Sequence, residues 1–118
     1  MIIELHSSPN AVIAEINGEG ILVSGPGDIL GLVMQASEMG ASSVALHEAN
    51  IDPRFFQLRT GVAGEIFQKL VNYRFKLAII GDISRYTETS ESLRALVREC
   101  NRGRDVVFVR TLNELLEK

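Results

Sequence analysis

The stretch RTGVAGEIFQKL sets a cation, a hydroxyl and two glycines at the start of a segment with helical apolar spacing. A glycine inside a helix costs about 0.5–1 kcal/mol relative to alanine, so Gly61 and Gly64 together demand a reason. One reason is chemical. Unpaired N–H groups at the positive end of a helix receive anions, and Arg59 stands beside that end. The other reason is packing, in which the glycines let the helix start lie close against the sheet or a loop. Thr60 reads as an N-cap. A second group lies in IIGDIS, where Asp82 and Ser84 follow an apolar run. That is where ligands bind at a sheet edge, and it is equally a Gly-Asp turn whose acid accepts from loop N–H groups. Arg54, Arg85 and Arg110 are expected near Arg59 on the same edge, with Glu48, Asp52 and Asp82 among them. These acids would either pair with the arginines at the surface or leave them for a ligand.

Other chemistry is weaker. His47 and Glu48 are adjacent at a strand end, so their side chains point to opposite faces, and no serine or cysteine beside them makes a nucleophilic pair. His47 reads as a structural or surface histidine, and Cys100, on an apolar helix face, as a small core residue. SGPGDILG has Leu30 where a dinucleotide fingerprint needs its third glycine, and Pro26 between the first two. One cysteine and two histidines exclude a zinc site of the usual Cys/His kind. No catalytic acid–base pair, metal or cofactor is assigned.

These side chains must be positioned by a single domain. A chain of 118 residues fits one domain, and this size buries about 65–70% of its unfolded surface. With 12 Lys plus Arg against 15 Asp plus Glu, there is no broad basic surface for nucleic acid. The opening MIIELHSSPN lacks a signal-peptide pattern and LAII is too short to span a bilayer, so a cytoplasmic protein without membrane or nucleic-acid partners is expected.

The elements read as an α/β domain. IIELH, an SSPN turn and AVIAEI open it, and Asn17-Gly18 predicts a hairpin turn with GILV returning. Gly25 and Pro26 start a helix with the stripe Ile29, Leu30, Val33 and Met34, ended by Gly40. SSVALHE, LAII and VVFV are strands, and LAII, apolar throughout, should be buried on both faces of a parallel sheet. The helix after Gly61 carries Val62, Ile66, Leu70 and Ala63, Phe67, Val71, while one from about Thr87 carries Leu93, Leu96, Val97 and Cys100. A sheet of four to five strands with about four helices follows, right-handed crossovers placing the helices on its two faces. Phe55 and Phe56, neighbours in a loop, are expected to stay partly uncovered and to serve a partner surface, with a homodimer as its simplest form.

The run from SVALHE through TGVAGEIFQKLVNY to KLAIIGDIS resembles the small bacterial family known as domain of unknown function 4180. More remotely the layout is similar to the STAS domains, the anti-sigma-factor antagonist fold, and the SpoIIAA-like proteins. In that group an Asp-Ser-Ser-Gly loop leads into the corresponding helix, and its first serine is phosphorylated to switch partners. Here Leu58-Arg59-Thr60-Gly61 takes its place, with arginine at the phosphorylated position; the comparison leaves Thr60 as the hydroxyl that could take phosphate instead, against its plainer reading as an N-cap, so that switch is not inherited with the fold. The resemblance implies a non-enzymatic regulatory domain that binds a protein or a small ligand; the residue types read above make Arg59, Thr60, Gly61, Gly64, Asp82, Ser84 and Arg85 the candidate contacts, with an anion as the ligand they suit. The alternative is a small-molecule enzyme using the acids at the C-terminal edge of the sheet.

Overall fold

A computed structural model describes residues 1–117. Strands β1 (Ile2–Ser8) and β2 (Ala11–Asn17) form an antiparallel hairpin, and β3 (Ser43–His47), β4 (Lys76–Ile80) and β5 (Val106–Val109) continue the sheet in parallel in the order β1-β2-β3-β4-β5. Helices α1 (Pro26–Glu38), α2 (Val62–Asn72) and α4 (Glu91–Arg102) make the crossovers. The short α3 (Ser84–Thr87) precedes α4, and α5 (Leu112–Leu116) follows β5. No helix among the described residues is long and apolar enough to cross a membrane.

LAII lies in β4, between β3 and β5, with Leu77 to Ile80 all buried. The strands around Val44, Ile79 and Val107 are parallel, as the apolar runs require. Pro26 stands at the start of α1, and the helix ends on Gly40 at φ 89°, with Ala41 N–H donating to Ala36 O at 2.9 Å and Gly40 N–H to Ser37 O at 3.0 Å. That is a Schellman closure, which glycine makes without steric cost. Ser90 caps α4, its Oγ accepting from Leu93 N–H at 3.1 Å.

Four expectations are corrected. First, the hairpin read at SSPN does turn at Pro9-Asn10, but the second one does not form: Asn17-Gly18 begins a loop in which Val23 makes an isolated bridge to Ile51. Asn50 is the reason: its buried side-chain amide donates to Gly18 O at 3.0 Å and Gly20 O at 2.8 Å, and its backbone carbonyl accepts from Leu22 and Val23 N–H. Secondly, the crossover helices share one face. The strand order advances in one direction, so right-handed crossovers all land on the same side. Ala14, Ile16, Val44, Leu46, Leu77, Ile79 and Phe108 pack beneath them, while Ile13, Ala45, Ala78, Ile80 and Val109 on the other face pack with α5 through Leu115, Leu112 and Leu116. Thirdly, the stripe of α1 is Ile29, Leu32, Val33 and Ala36, leaving Met34 exposed, the outer end of α2 leaves Val71 exposed, and the later helix starts at Glu91. Fourthly, Phe55 and Phe56 are only 1% and 3% exposed. A 3-10 turn, Pro53–Phe56, folds both rings inward, so they offer no partner surface and the motive for a homodimer falls away.

Candidate functional site

The segment between β3 and α2 is held by its own polar groups. Asp52 accepts from Arg54 N–H at 3.0 Å and pairs with the Arg54 guanidinium at 2.9 Å. The Thr60 hydroxyl lies 2.7 Å from Arg54 O and 2.8 Å from Gln57 O, and receives Val62 N–H at 3.3 Å. Thr60 therefore braces a 3-10 turn, Leu58–Thr60, while the residue bordering α2 is Gly61. Gly61 is needed for its φ of 79°, a left-handed conformation. Gly64 has another status: a Cβ there would meet nothing within 4 Å, so close packing does not explain it.

The expected arginine cluster is divided. Arg59 and Arg85 line one cleft of about 490 Å³ with Gln57, Thr89, Ser90 and Ser92, above Phe56 and Tyr86. Those two rings stack at 4.3 Å and 7°, which gives the cleft a rigid floor. Arg85 lies 4.8 Å over the Tyr86 ring, donates to its hydroxyl at 2.9 Å and reaches Glu48 at 3.2 Å. Among the described residues no carboxylate lines this cleft. Asp82 and Ser84 belong to a neighbouring cleft of about 300 Å³ with Arg110 and Glu114. There Asp82 accepts from Ser84 N–H at 2.9 Å, and this bond, followed by the Ser84 hydroxyl and the charges of Arg110 and Arg85, lowers its pKa. Arg54 stays with Asp52, and Thr60, Gly61 and Gly64 line neither cleft.

A second polar group lies on the face that α5 only partly covers. Glu15 in β2 is 7% exposed, yet both its oxygens are engaged: His6 Nε2 lies 2.9 Å from Oε1 and His47 Nε2 lies 2.8 Å from Oε2. The register places Glu4 directly opposite Glu15 and His6 opposite Ile13, so Glu4 and His6 share its face. Cysteine and histidine counting could not find this group, because carboxylates form half of it and its members meet only across three strands. The available signal was Glu15 itself, an acid inside the otherwise apolar AVIAEI.

Residues 8–118 match the family model described as Domain of unknown function (DUF4180). The chain belongs to this family. No curated protein and no solved structure matches it. The match to DUF4180 spans the arginine cleft, Glu15 and His47, and begins after Glu4 and His6.

Glu15 in this DUF4180 domain makes stability depend on pH. Burial raises its pKa, but hydrogen bonding to His6 and His47, with the nearby Asn17 amide and the charge of His47, outweighs burial and leaves it below the ordinary 4.5. A carboxyl whose folded-state pKa is depressed stabilises above its unfolded value and loses that contribution as pH falls through the folded value. Glu15→Gln is expected to cost about 1–3 kcal/mol at neutral pH. The gap from wild type should narrow below pH 4.5. Urea unfolding at a series of pH values measures it; a gap that widens on acidification contradicts the assignment.

Proposed function

We propose that this chain is a non-enzymatic regulatory binding domain of STAS-like type whose ligand is a small anion-bearing molecule received between Arg59 and Arg85. The observation that carries this reading is the pair of guanidiniums on one cleft with hydroxyl and amide donors and no carboxylate. Guanidinium groups bind phosphate or carboxylate through paired, charge-assisted hydrogen bonds. The stacked Phe56 and Tyr86 rings cover each other and Arg85 lies over Tyr86, so the aromatic pair holds the Arg85 guanidinium in place at the cleft. A net charge of −3 favours a small anion held at one spot over a nucleic acid held along a surface. The reading is of a cytoplasmic protein, supported by a lone cysteine, Cys100, whose partial burial raises its thiol pKa and makes it unreactive. Asp82 does not favour an enzyme, since its bond to Ser84 N–H accounts for its placement.

Calorimetric titration of phosphate-bearing metabolites, with wild type and Arg59→Ala side by side, tests the proposal. The variant is expected to bind about 1–3 kcal/mol more weakly. Its unfolding midpoint should hardly move, because an exposed arginine contributes little to folding. Equal binding by both proteins, or binding by neither, would remove the cleft as a ligand site.

A further inference from the structure

We propose that Glu4, His6 and Glu15 bind a divalent transition-metal ion of the zinc class, with His47 as a positioning residue. One potential ligand atom from each of the three lies within 4.8 Å of the others. Zinc-class bonds to imidazole nitrogen and carboxylate oxygen are about 2.0–2.2 Å, so ligands on one ion stand about 3–4 Å apart. Only the exposed Glu4 has to swing to close the remaining distance. The donor set of one imidazole and two carboxylates, without a thiolate, suits Zn²⁺ and its first-row neighbours; copper(I) asks for sulfur, and calcium and magnesium ask for oxygen alone.

The strand register supplies an independent reason for a cation. Glu4 and Glu15 stand directly opposite each other on β1 and β2. Like charges in that relation destabilise an antiparallel pair. A cation between them reverses the sign. His6, two residues beyond Glu4, is on the same face, half-buried and already 2.9 Å from Glu15 Oε1. With Glu15 ionised, the His6 Nε2 carries the proton of that bond. The metal takes the place of this proton, which moves to Nδ1 or to solvent. His47 does not join the three but holds Glu15 Oε2 at 2.8 Å, the outer hydrogen bond that orients a ligating carboxylate. The cluster lies on the sheet face opposite the crossover helices, so a water can complete the coordination.

The test is titration of the chelator-treated full chain with Zn²⁺ by calorimetry and with Co²⁺ by visible absorption. One saturable site per chain is expected. His6→Ala and Glu15→Gln should each weaken Zn²⁺ binding at least tenfold, and Glu4→Gln, at an exposed position that leaves folding intact, should do the same. His47→Ala should weaken it about 10–100-fold with the stoichiometry kept, the usual scale for an outer-shell partner. His47→Gln, which restores a donor to Glu15, should recover part of the loss and the wild-type Co²⁺ spectrum. Absence of a saturable site in wild type overturns the proposal. So does tight binding that Glu4→Gln and His6→Ala leave unchanged. If His47→Ala binds as wild type does, the positioning role is overturned.

Discussion

Replacing Phe55 with alanine is expected to destabilise the domain by about 3–5 kcal/mol, the range for deleting a buried phenylalanine ring. Few small domains exceed about 5–15 kcal/mol in total, so the loss is a large share of what holds this one folded. The ring is 1% exposed and meets Phe56 edge-on at 5.0 Å and Phe67 at 5.8 Å. It fixes the 3-10 turn Pro53–Phe56 against α2. Phe56 in turn stacks on Tyr86, the floor of the arginine cleft. Phe55→Ala should therefore lose anion binding together with stability, whereas Arg59→Ala loses binding alone. Urea unfolding with the two variants in parallel separates the cases. A Phe55→Ala protein of unchanged midpoint but altered partner binding would restore the ring to a surface role.

Some of this arrangement was legible in the sequence, and the reasons differ residue by residue. LAII announced an inner parallel strand because four consecutive apolar residues have no polar face to give to water. Gly25-Pro26 announced the start of α1 because the cap chemistry is local. Asn17-Gly18 misled for the same reason. The dipeptide favours a hairpin turn, but Asn50, 32 positions from Gly18, holds Gly18 O with its side-chain amide and draws Leu22 and Val23 N–H to its own backbone carbonyl, away from β2. Phe55 and Phe56 were misplaced because a loop was expected to be unable to bury two neighbouring rings, whereas the 3-10 turn lets both reach one core. Glu15 was hidden by distance: its partners are 9 and 32 residues away. The four arginines were expected to share one edge, and two of them, Arg59 and Arg85, line one cleft. Which of them meet was decided by side-chain pairing, Arg54 with Asp52 and Arg85 with Glu48 and Tyr86.

Gly81→Ala is expected to cost about 2–4 kcal/mol, a strained backbone with a steric clash added. Gly81 has φ 137°, a conformation that side chains other than hydrogen rarely allow. A Cβ there would lie 2.6 Å from Glu48 Cγ and 3.4 Å from its Cβ, atoms near the backbone of Glu48 that cannot swing away as a carboxylate tip would. Nor can Gly81 retreat, because its N–H donates to Val109 O at 2.9 Å where β4 passes beside β5. The side chain that must yield is the one that reaches Arg85 at 3.2 Å. Loss of stability should thus come with a displaced Arg85 and weaker anion binding, although Gly81 does not line the arginine cleft. Gly64→Ala is the matched control: its Cβ enters open space, and stability should be held or slightly raised. Urea midpoints for the pair give the comparison. If Gly81→Ala unfolds where Gly64→Ala does, Glu48 gives way freely, and the close approach of β4 to Glu48 is not what holds Arg85 over the cleft.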